Sequence, residues 1–332
     1  MYKKVLVLGG AGFIGMNIIK ELGNKGGYQI TIGDNFFRGK MDTQLTKLVE
    51  EHKIKIISAD FTKVSAFEEL EKDYDYVYML ASVVGVEYTQ KIPNELIRIN
   101  ATLILNTLEW IKTTQCKKVL FTSTSECYVG AIEAFDYKVP TPEEVPLCID
   151  DISHPRFTYA VTKMLGESGF LQYSKVYGFK CTIVRYHNVY GERMGFKHVI
   201  PQVIQRFLKR ENPFKVYGFD QTRAFNYIDD AVTGTIAAME SVDTNGEILH
   251  IGDMESEITI ERLIHYIGDL MEYKGTYERK GAHSGSVSRR CPDTSKAERM
   301  IGYKPKVNWE EGVKKTVEWY VDYIQSGSDV FE

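Results

Sequence analysis

The chain has 332 residues, 43% of them hydrophobic and 26% charged, which suits a globular protein with one large α/β domain or two domains that share a cleft. Its formal net charge of −4 argues against a nucleic-acid-binding protein, which usually presents a basic face. No stretch approaches the ~20 apolar residues of a membrane span, and the apolar run near the start is too short for a secretory signal.

The first 190 residues are predicted to alternate strands with helices. Short apolar segments that predict buried strands lie at residues 4–8, 29–33, 55–59, 76–81, 118–122 and 180–185. The clearest helical segments lie at residues 12–26, 93–114 and 157–177. Strands separated by such helices form a parallel sheet covered on both faces, so residues 1–190 are predicted to be a Rossmann-type, doubly wound α/β domain.

After residue 190 the pattern changes to that of a smaller α/β lobe. Helices are predicted at residues 199–210, 229–241, 260–273 and 309–326, and short strands at 214–217, 225–227 and 248–251. No flexible linker is evident between the two parts. We therefore expect residues 191–332 to be interleaved with the first domain and to close over it as a substrate-binding lobe.

A glycine-rich turn follows the first strand and opens the first helix. Gly9, Gly12 and Gly15 have the spacing that lets a chain turn tightly, approach a pyrophosphate and pack a helix against its strand. The helix that starts near Phe13 and Ile14 would offer free N–H groups and a positive dipole end to the phosphates. This context predicts a dinucleotide site.

Asp34 ends the second strand about twenty residues later, where a carboxylate would bind the ribose hydroxyls of NAD and repel a 2′-phosphate. Arg38 and Lys40 follow it and keep NADP open as an alternative. Asp60 and Phe61 end the third strand and are candidates to contact the adenine, although Asp60 is equally suited to cap a helix. The predicted cofactor is NAD.

Tyr159 and Lys163 are four residues apart in a predicted helix and therefore share one face. Thr124, Ser125 and Glu126 follow the fifth strand, at the edge where the carboxyl ends of parallel strands line a ligand crevice. A free tyrosine has a pKa near 10, but a lysine cation and an oxidised nicotinamide would both favour its phenolate. The group predicts oxidation of an alcohol, with Tyr159 as base, Lys163 beside it and Thr124 orienting the hydroxyl.

Together these motifs resemble the extended short-chain dehydrogenase/reductases, in the branch of nucleotide-sugar epimerases, dehydratases and decarboxylases. The resemblance covers nearly the whole chain and rests on the glycine-rich turn, residues 80–82, the loop 123–128, the Tyr159/Lys163 pair, and residues 185–191 and 221–225. It implies an NAD-dependent enzyme that modifies a nucleotide-diphosphate sugar through a C4 ketone.

The resemblance also implies individual roles. Residues expected to contact the cofactor are Asn35, Leu80, Ala81 and Ser82, and those expected to contact the substrate are Val84, Asn188, Arg223 and Arg290. The two arginines would bind the diphosphate or an acid group of the sugar, which suits a planar guanidinium. Because the long helices of the family pair into a four-helix interface, we expect a homodimer.

The loop Thr124-Ser125-Glu126 bears on the reaction. It resembles that of 4,6-dehydratases, in which Glu126 would remove the C5 proton as the C6 hydroxyl leaves and Ser125 stands where many members have aspartate. It also resembles that of UDP-glucuronate decarboxylases, in which CO2 departs directly and Glu126 would orient the sugar. We expect a 4,6-dehydratase, with a decarboxylase, a 4-epimerase and a C4 dehydrogenase as alternatives. A non-catalytic dinucleotide sensor is the alternative from another class.

The cysteines and His187 are predicted to have structural roles. Five cysteines without CxxC spacing predict neither a disulfide framework nor a zinc site, and they favour a reducing cytoplasm. We expect no bound metal. Cys127 is expected to pack in the interior, and His187, which stands where the family often has phenylalanine, is expected to be a core residue.

Overall fold

The computed structural model describes residues 2–282 and 285–327. Its strands, in chain order, are β1 (Lys3–Leu8), β2 (Tyr28–Asp34), β3 (Lys55–Ser58), β4 (Tyr76–Met79), β5 (Lys118–Thr124), β6 (Lys180–Tyr186), β7 (Val189–Tyr190), β8 (Phe214–Tyr217), β9 (Thr222–Ala224), β10 (Asn226–Tyr227), β11 (Ile248–Ile251), β12 (Glu257–Thr259), β13 (Tyr277–Lys280) and β14 (Arg289–Arg290). All six strands predicted before residue 190 are confirmed, with ends that differ by at most two residues.

The helices confirm every long segment that the sequence pattern predicts. They are α1 (Phe13–Lys25), α2 (Thr43–Glu51), α3 (Val86–Lys91), α4 (Pro93–Ile111), α5 (Val129–Phe135), α6 (Thr158–Tyr177), α7 (Val199–Leu208), α8 (Ile228–Glu240), α9 (Ile260–Leu270), α10 (Ser295–Ile301) and α11 (Trp309–Gln325). The helices that the sequence analysis did not predict, α2, α3, α5 and α10, are short. Within the described residues, no helix has the length and apolar character needed to cross a membrane.

A seven-stranded parallel sheet in the order β11-β6-β5-β4-β1-β2-β3 forms the centre, as predicted for a Rossmann-type fold. Alternate residues of a strand point to opposite faces. On β1, Val5 and Val7 join the core that includes α1 and α8, whereas Leu6 and Leu8 join the core beneath α4 and α6. Both faces are therefore buried, which explains the nearly continuous apolar strands.

One strand lies in a different sheet from the one expected. We predicted residues 248–251 to lie in the smaller lobe, but β11 pairs in parallel with β6 and forms an edge of the central sheet. The strand predicted at 225–227 is confirmed as β10, which pairs with β7, and it follows β9, which was not predicted and pairs with β12. The chain therefore returns to the first domain after residue 190, while the division at that residue stays a prediction.

The carboxyl ends of the central strands converge at one edge. Because the strands are parallel, the turn after Leu8, the carboxylate of Asp34, the loop after Met79 and the loop after Thr124 all leave the sheet on the same side. This edge is where the sequence places its candidate residues.

A buried ion pair ties three of these elements together. Arg185 is 2% exposed and donates to both carboxylate oxygens of Glu167, each at 2.8 Å, and to the Glu143 carbonyl at 2.9 Å. The Ser123 hydroxyl donates to the same carboxylate at 2.5 Å. The end of β5, the middle of α6 and the end of β6 are thus held in one hydrogen-bonded unit.

Breaking this pair should destabilise the protein strongly. In the Arg185→Met variant the buried Glu167 charge loses its partner, and we expect the free energy of unfolding in urea to fall by about 3–5 kcal/mol. The double variant Arg185→Met/Glu167→Leu should recover part of that loss because no unpaired charge remains. The exposed Arg98–Glu95 pair provides the control, since Arg98→Met should change stability little. Equal effects at both sites would contradict this reading.

Candidate active site

The glycine-rich turn has the space that a pyrophosphate needs. A side chain at Gly9 would meet the Ala81 backbone N at 2.7 Å, and one at Gly15 would collide with the Gly9 carbonyl. A side chain at Gly12 would meet only the Gly9 carbonyl oxygen, at 3.3 Å, so the region in front of Gly12 is otherwise open. The first and third glycines therefore serve packing, and the second leaves room for a ligand at the start of α1, where Phe13 and Ile14 lie.

The Asp34 carboxylate holds the glycine-rich turn in place through hydrogen bonds to the backbone. It accepts hydrogen bonds from the backbone N–H groups of Ala11 at 2.9 Å and Phe36 at 2.8 Å. Burial raises its pKa, and these backbone bonds oppose that rise. A carboxylate has lone pairs for further donors, so Asp34 remains able to bind ribose hydroxyls.

Three other residues predicted to contact the cofactor already have partners within the protein. The ring of Phe61 is only 4% exposed and packs on Phe67 at a centroid distance of 5.1 Å, so it belongs to the core. Asp60 accepts from the Thr62 backbone and hydroxyl at 3.0 and 2.7 Å, which makes it a turn cap. Asn35 similarly accepts from the backbone N–H of Phe37 at 3.0 Å.

The loop after β4 carries Leu80, Ala81 and Ser82, all half-buried beside the glycine-rich turn. A residue that the sequence analysis missed holds this loop in place. Asn100 on α4 accepts from the Val83 N–H at 2.7 Å and donates to the Val83 carbonyl at 3.0 Å. Nothing in the local sequence distinguishes this asparagine from others on an amphipathic helix.

Tyr159 and Lys163 lie on one face of α6, as predicted. The Lys163 ammonium is 5.6 Å from the centroid of the Tyr159 ring and donates to the Thr122 carbonyl at 2.8 Å. Burial lowers the pKa of Lys163 to about 8. Burial, and then the nearby Cys127 and Glu126, raise the pKa of Tyr159, while the charge of Arg38 lowers it. In the protein alone the phenol is therefore protonated, and added positive charge is needed to make it a base.

Glu126 is held by two arginines from distant parts of the chain. Its Oε1 lies 2.8 Å from Arg290 Nη1 and 3.3 Å from Arg156 Nη2. Burial alone would raise the pKa of this carboxyl, but the charges of Arg290 and Arg156 outweigh it and the pKa is lowered. Glu126 is therefore an ionised clamp residue in this arrangement.

The positive charge around Glu126 exceeds what one carboxylate can pair. Burial, and then the charge of Arg290, lower the pKa of Arg223 to about 9, so it stays protonated at neutral pH. Arg223 donates to the carbonyls of Thr222 and Val287 at 2.7 Å each. Arg290 Nε and Nη2 and Arg156 Nε are buried without a hydrogen-bond partner. Buried donors of this kind call for an anion.

The remaining predicted residues lie around this cluster. Thr124 is half-buried and accepts from the Glu126 N–H at 3.3 Å, whereas Ser125 is only 2% exposed. Asn188 has a positive φ of 39° and donates to the Ala224 carbonyl at 3.1 Å, which joins the loop after β6 to β9. Val84 is half-buried after β4. Their catalytic and substrate-binding roles stay predictions.

Two buried histidines lie behind the loop of Glu126. The rings of His187 and His250 are 4.8 Å apart, and His187 Nε2 is 2.9 Å from the Tyr128 hydroxyl. Burial, and then neighbouring positive charge, lower both histidine pKa values well below the ordinary value. Both rings are therefore neutral core groups, as expected for His187. Cys127 is also fully buried, and burial raises the pKa of its thiol to about 12.

Two further arginines were not recognised as site residues from the sequence. Arg156 lies three residues before Tyr159, and only its contact with Glu126 reveals its position. Arg193 donates to the Ala11 carbonyl at 3.0 Å and to Asp42 at 2.7 Å, so the segment after β7 holds the glycine-rich turn.

The described residues contain no group of histidine, cysteine, aspartate or glutamate side chains that would hold a metal ion.

Comparison with known proteins agrees with this geometry. A profile of the NAD dependent epimerase/dehydratase family matches residues 5–252. The chain is 36% identical to a UDP-N-acetyl-alpha-D-glucosaminuronate decarboxylase of Bacillus cytotoxicus, over 96% of this chain and 98% of the relative. It is 30% identical to a UDP-glucuronate 4-epimerase of Thermodesulfobacterium geofontis, over 96% and 97% of the two chains.

Solved structures share the fold. The UDP-glucuronic acid 4-epimerase of Bacillus cereus, crystallised with UDP-glucuronic acid and NAD, superimposes with a TM-score of 0.82 at 26% identity. The match covers 96% of this chain and 99% of that one.

The neutral histidines predict a specific acid sensitivity. Because the folded pKa values of His187 and His250 lie below the unfolded value of about 6.5, stability is retained above that pH and lost as the pH falls below it. Each histidine contributes up to about 1.4 kcal/mol per pH unit. His187→Phe should reduce the loss of unfolding free energy between pH 6.5 and 5.5 by about a third, because His198, whose pKa burial lowers to about 4, contributes as well. Tyr128→Phe, which keeps both histidines, should retain the full pH dependence, and an unchanged slope in His187→Phe would contradict the assignment.

Proposed function

The chain belongs to the NAD-dependent epimerase/dehydratase family, and from this premise we propose that it decarboxylates a nucleotide-linked uronic acid. It is an enzyme of the extended short-chain dehydrogenase type, and NAD is its cofactor. The observation that carries the proposal is the surplus of guanidinium groups around Glu126.

The charge balance of the cluster fits such a substrate. Arg156, Arg223 and Arg290 contribute a formal +3 and Glu126 contributes −1, and the exposed Glu133, whose charge acts on Arg223, still leaves a surplus of +1. A nucleotide-diphosphate uronic acid brings the diphosphate charges and one carboxylate, whereas a neutral sugar brings the diphosphate alone. The unpartnered nitrogens of Arg156 and Arg290 are suitable donors for planar carboxylate oxygens.

The same cluster weakens the case for the 4,6-dehydratase that the loop sequence favours. A dehydratase would need Glu126 as a base that takes the C5 proton. Two arginines lower the pKa of this carboxyl, and a more acidic carboxyl is a weaker base. Decarboxylation needs no proton removal from C5, because the carboxylate leaves that carbon as CO2. We therefore place decarboxylation first, with the dehydratase as the second candidate on the strength of Thr124-Ser125-Glu126.

The chain's own residues would prepare C4. Tyr159, as phenolate, takes the proton of the C4 hydroxyl, and Thr124 orients that hydroxyl. Lys163 favours the phenolate and stays fixed through the Thr122 carbonyl. The turn of Gly9, Gly12 and Gly15 would hold NAD⁺, which would supply the acceptor for the C4 hydride and the hydride for the later reduction.

The sugar carboxylate would then leave without a separate base. A C4 ketone lies β to the carboxylate on C5, so the C5–C6 bond breaks and its electron pair passes to the C4 oxygen as an enolate. C5 then takes up a proton, and the net products are a pentose nucleotide and CO2. Arg290 and Arg156 would hold the carboxylate in place while the ketone forms.

The similarity to a uronic acid decarboxylase supports this choice over a 4-epimerase. Two of the relatives described above act, by name, on uronic acids, and the more similar of them is a decarboxylase. An epimerase for the same sugars would use the same charge cluster, so the product of the reaction must decide between the two activities.

All five cysteines are free thiols, which fits the predicted cytoplasmic setting.

A product assay tests the proposal. The purified protein with NAD should release CO2 from UDP-glucuronic acid or UDP-N-acetylglucosaminuronic acid, and mass spectrometry should find the nucleotide pentose. UDP-glucose, GDP-mannose and dTDP-glucose should be inert. A 4-keto-6-deoxy product from a neutral sugar would establish the dehydratase, and a uronic acid with only its C4 configuration inverted would establish the epimerase.

Arg290 and its neighbour Arg289 form a matched pair for testing the cluster. Arg290→Met removes a guanidinium that contacts Glu126, and we expect kcat/KM for the uronic acid to fall by about 10²–10³-fold. Arg289→Met removes a cation that pairs with Glu257 outside the cluster, and it should change kcat/KM by less than about threefold. Equal effects of the two changes would argue against carboxylate binding by the cluster.

We also propose that the enzyme is a homodimer through α4 and α6. These helices pack on each other and expose Leu105 and Leu165, which are 46% and 41% accessible. Leu105→Asp or Leu165→Asp should convert a dimer into a monomer in multi-angle light scattering, because a buried unpaired carboxylate is costly. Val242→Asp, at an exposed site away from both helices, should leave the mass unchanged. A monomeric wild-type protein at micromolar concentration would contradict the dimer.

A further inference from the structure

Arg193 follows β7 and has a backbone conformation that arginine rarely adopts. Its φ is 65°, which lies in the left-handed region that favours glycine. Such a conformation is unfavourable for a residue with a Cβ and persists where the surrounding structure requires it. The side chain is buried. An arginine in this position therefore indicates that the contacts of its side chain are needed.

The guanidinium of Arg193 joins three acceptors that are distant from it in sequence. Its Nη1 donates to the Ala11 carbonyl at 3.0 Å, within the glycine-rich turn. Its Nη2 donates to the Lys40 carbonyl at 3.1 Å, and its Nε donates to the Asp42 carboxylate at 2.7 Å. One planar group thus connects the segment after β7 with the turn after β1 and with the loop after β2.

Ala11 is held through both of its backbone polar groups. Its N–H donates to the Asp34 carboxylate at 2.9 Å, and its carbonyl accepts from Arg193 at 3.0 Å. The next residue, Gly12, precedes the first turn of α1, where free N–H groups are suited to a pyrophosphate. Asp34 and Arg193 therefore fix the backbone that leads into the phosphate-binding end of the helix.

The same guanidinium fixes the loop after β2. A side chain at Gly39 would collide with the Ala11 backbone, so this loop lies directly on the glycine-rich turn. The bonds from Arg193 to the Lys40 carbonyl and to Asp42 hold the loop on its C-terminal side. The turn and the loop are thus bound to each other through one side chain.

The charge of Arg193 supports its hydrogen bonds. Burial raises the pKa of Asp34, whereas the backbone N–H groups of Phe36 and Ala11, and then the charge of Arg193, lower it. An ionised carboxylate is the form that only accepts hydrogen bonds. Arg193 therefore favours the form of Asp34 that accepts from Ala11 and can accept from ribose hydroxyls.

Arg193 belongs to a segment that also carries a predicted substrate contact. Asn188 donates to the Ala224 carbonyl of β9 at 3.1 Å, and Glu192 accepts from the Tyr227 hydroxyl of β10 at 2.7 and 2.9 Å. Segment 188–193 is therefore attached to the strands after residue 220 and, through Arg193, to the glycine-rich turn.

We propose that Arg193 is a positioning residue for the coenzyme: its donors hold the Ala11 carbonyl and the loop after β2 in the arrangement that leaves the start of α1 open to the pyrophosphate of NAD. The proposal concerns the coenzyme site and does not depend on which sugar is bound or on whether CO2 is released. It also gives a segment that was assigned to the substrate lobe a part in binding NAD.

The affinity for NAD, measured without sugar by isothermal titration calorimetry, tests the proposal. Arg193→Met removes all three bonds, and we expect the Kd for NAD to rise by about 10–100-fold, because ordering of the turn and the loop would then oppose binding. Arg206→Met is the matched control. Arg206 pairs with Glu211 at 2.7 Å and donates to the Lys215 carbonyl at 2.6 Å, outside the coenzyme turn. Its loss should change the Kd by less than about threefold.

Two further variants separate the side chain of Arg193 from its backbone. Arg193→Gly suits a φ of 65° and removes the side chain, so it should weaken NAD binding as Arg193→Met does. Arg193→Lys keeps the charge without the planar fork and should recover the affinity only in part. If Arg193→Gly binds NAD as tightly as the wild type, the proposal is overturned.

Removal of the ion pair alone gives a graded test. Asp42 also caps α2 by accepting from the Leu45 N–H at 2.8 Å, and an asparagine would preserve this cap. Asp42→Asn should therefore weaken NAD binding by less than Arg193→Met does, because both bonds to the backbone carbonyls remain. A larger loss in Asp42→Asn than in Arg193→Met would contradict the role given to the carbonyl bonds.

Unfolding in urea with and without NAD distinguishes positioning from a purely structural role. At a fixed NAD concentration above the wild-type Kd, the stabilisation that NAD produces should be smaller in Arg193→Met, since it depends on the ratio of ligand concentration to Kd. A variant that is less stable without NAD but gains the same stabilisation from NAD would overturn the proposal. If the wild type itself does not bind NAD, the coenzyme assignment fails and the proposal fails with it.

Turnover provides a second readout with whichever nucleotide sugar proves to be the substrate. In Arg193→Met the NAD concentration needed for half-maximal rate should rise with the Kd, whereas kcat at saturating NAD should stay within about threefold of the wild type. A fall in kcat with an unchanged NAD requirement would contradict positioning of the coenzyme. It would leave the proposed decarboxylation untouched, because the product assay is carried out on the wild type.

Discussion

The site depends on one carboxylate that is surrounded by more positive charge than it can neutralise. Glu126 follows β5, whereas its partners Arg156 and Arg290 come from the approach to α6 and from the short strand β14. Bringing like charges together in a half-buried space is unfavourable unless an anion joins them. The fold brings these segments together through the parallel sheet and the chain that returns to it. The repulsion that remains between the arginines would be relieved by the proposed anionic substrate.

Two kinds of buried arginine show the difference between structure and function. Arg185 places its donors on both oxygens of Glu167 and on a backbone carbonyl, so its charge and its hydrogen bonds are satisfied within the protein. Arg290 leaves two nitrogens without partners, although it is almost as deeply buried. A fully paired guanidinium fixes neighbouring elements, and an incompletely paired one is free to bind. Because buried polar groups are normally satisfied, the unpartnered nitrogens of Arg290 beside Glu126 support the proposed anion site.

The sequence predicted those parts of the molecule that local patterns encode. Apolar strands before glycines, the turn at Gly9 and the Tyr159/Lys163 spacing are properties of short segments, and the structure confirms the strands and the helix on which they lie. The sequence did not reveal that β11 belongs to the central sheet, because a short apolar strand does not indicate its neighbour. Arg156 was missed for the same reason, since its position beside Glu126 arises from a contact between distant segments.

The choice of reaction illustrates this limit most clearly. A glutamate after Thr124-Ser125 has the same local sequence whether it acts as a base or as part of a clamp. Its basicity is set by residues that no local motif contains. Burial would raise the pKa of Glu126, but the two guanidinium groups from distant segments lower it by more than burial raises it. The same reasoning applies to Tyr159, because burial and then Cys127 and Glu126 raise its pKa, while the Lys163 ammonium on the same helix lies 5.6 Å from the centroid of its ring. A motif therefore identifies the candidate residues, whereas the charges that tertiary structure places around them set their protonation.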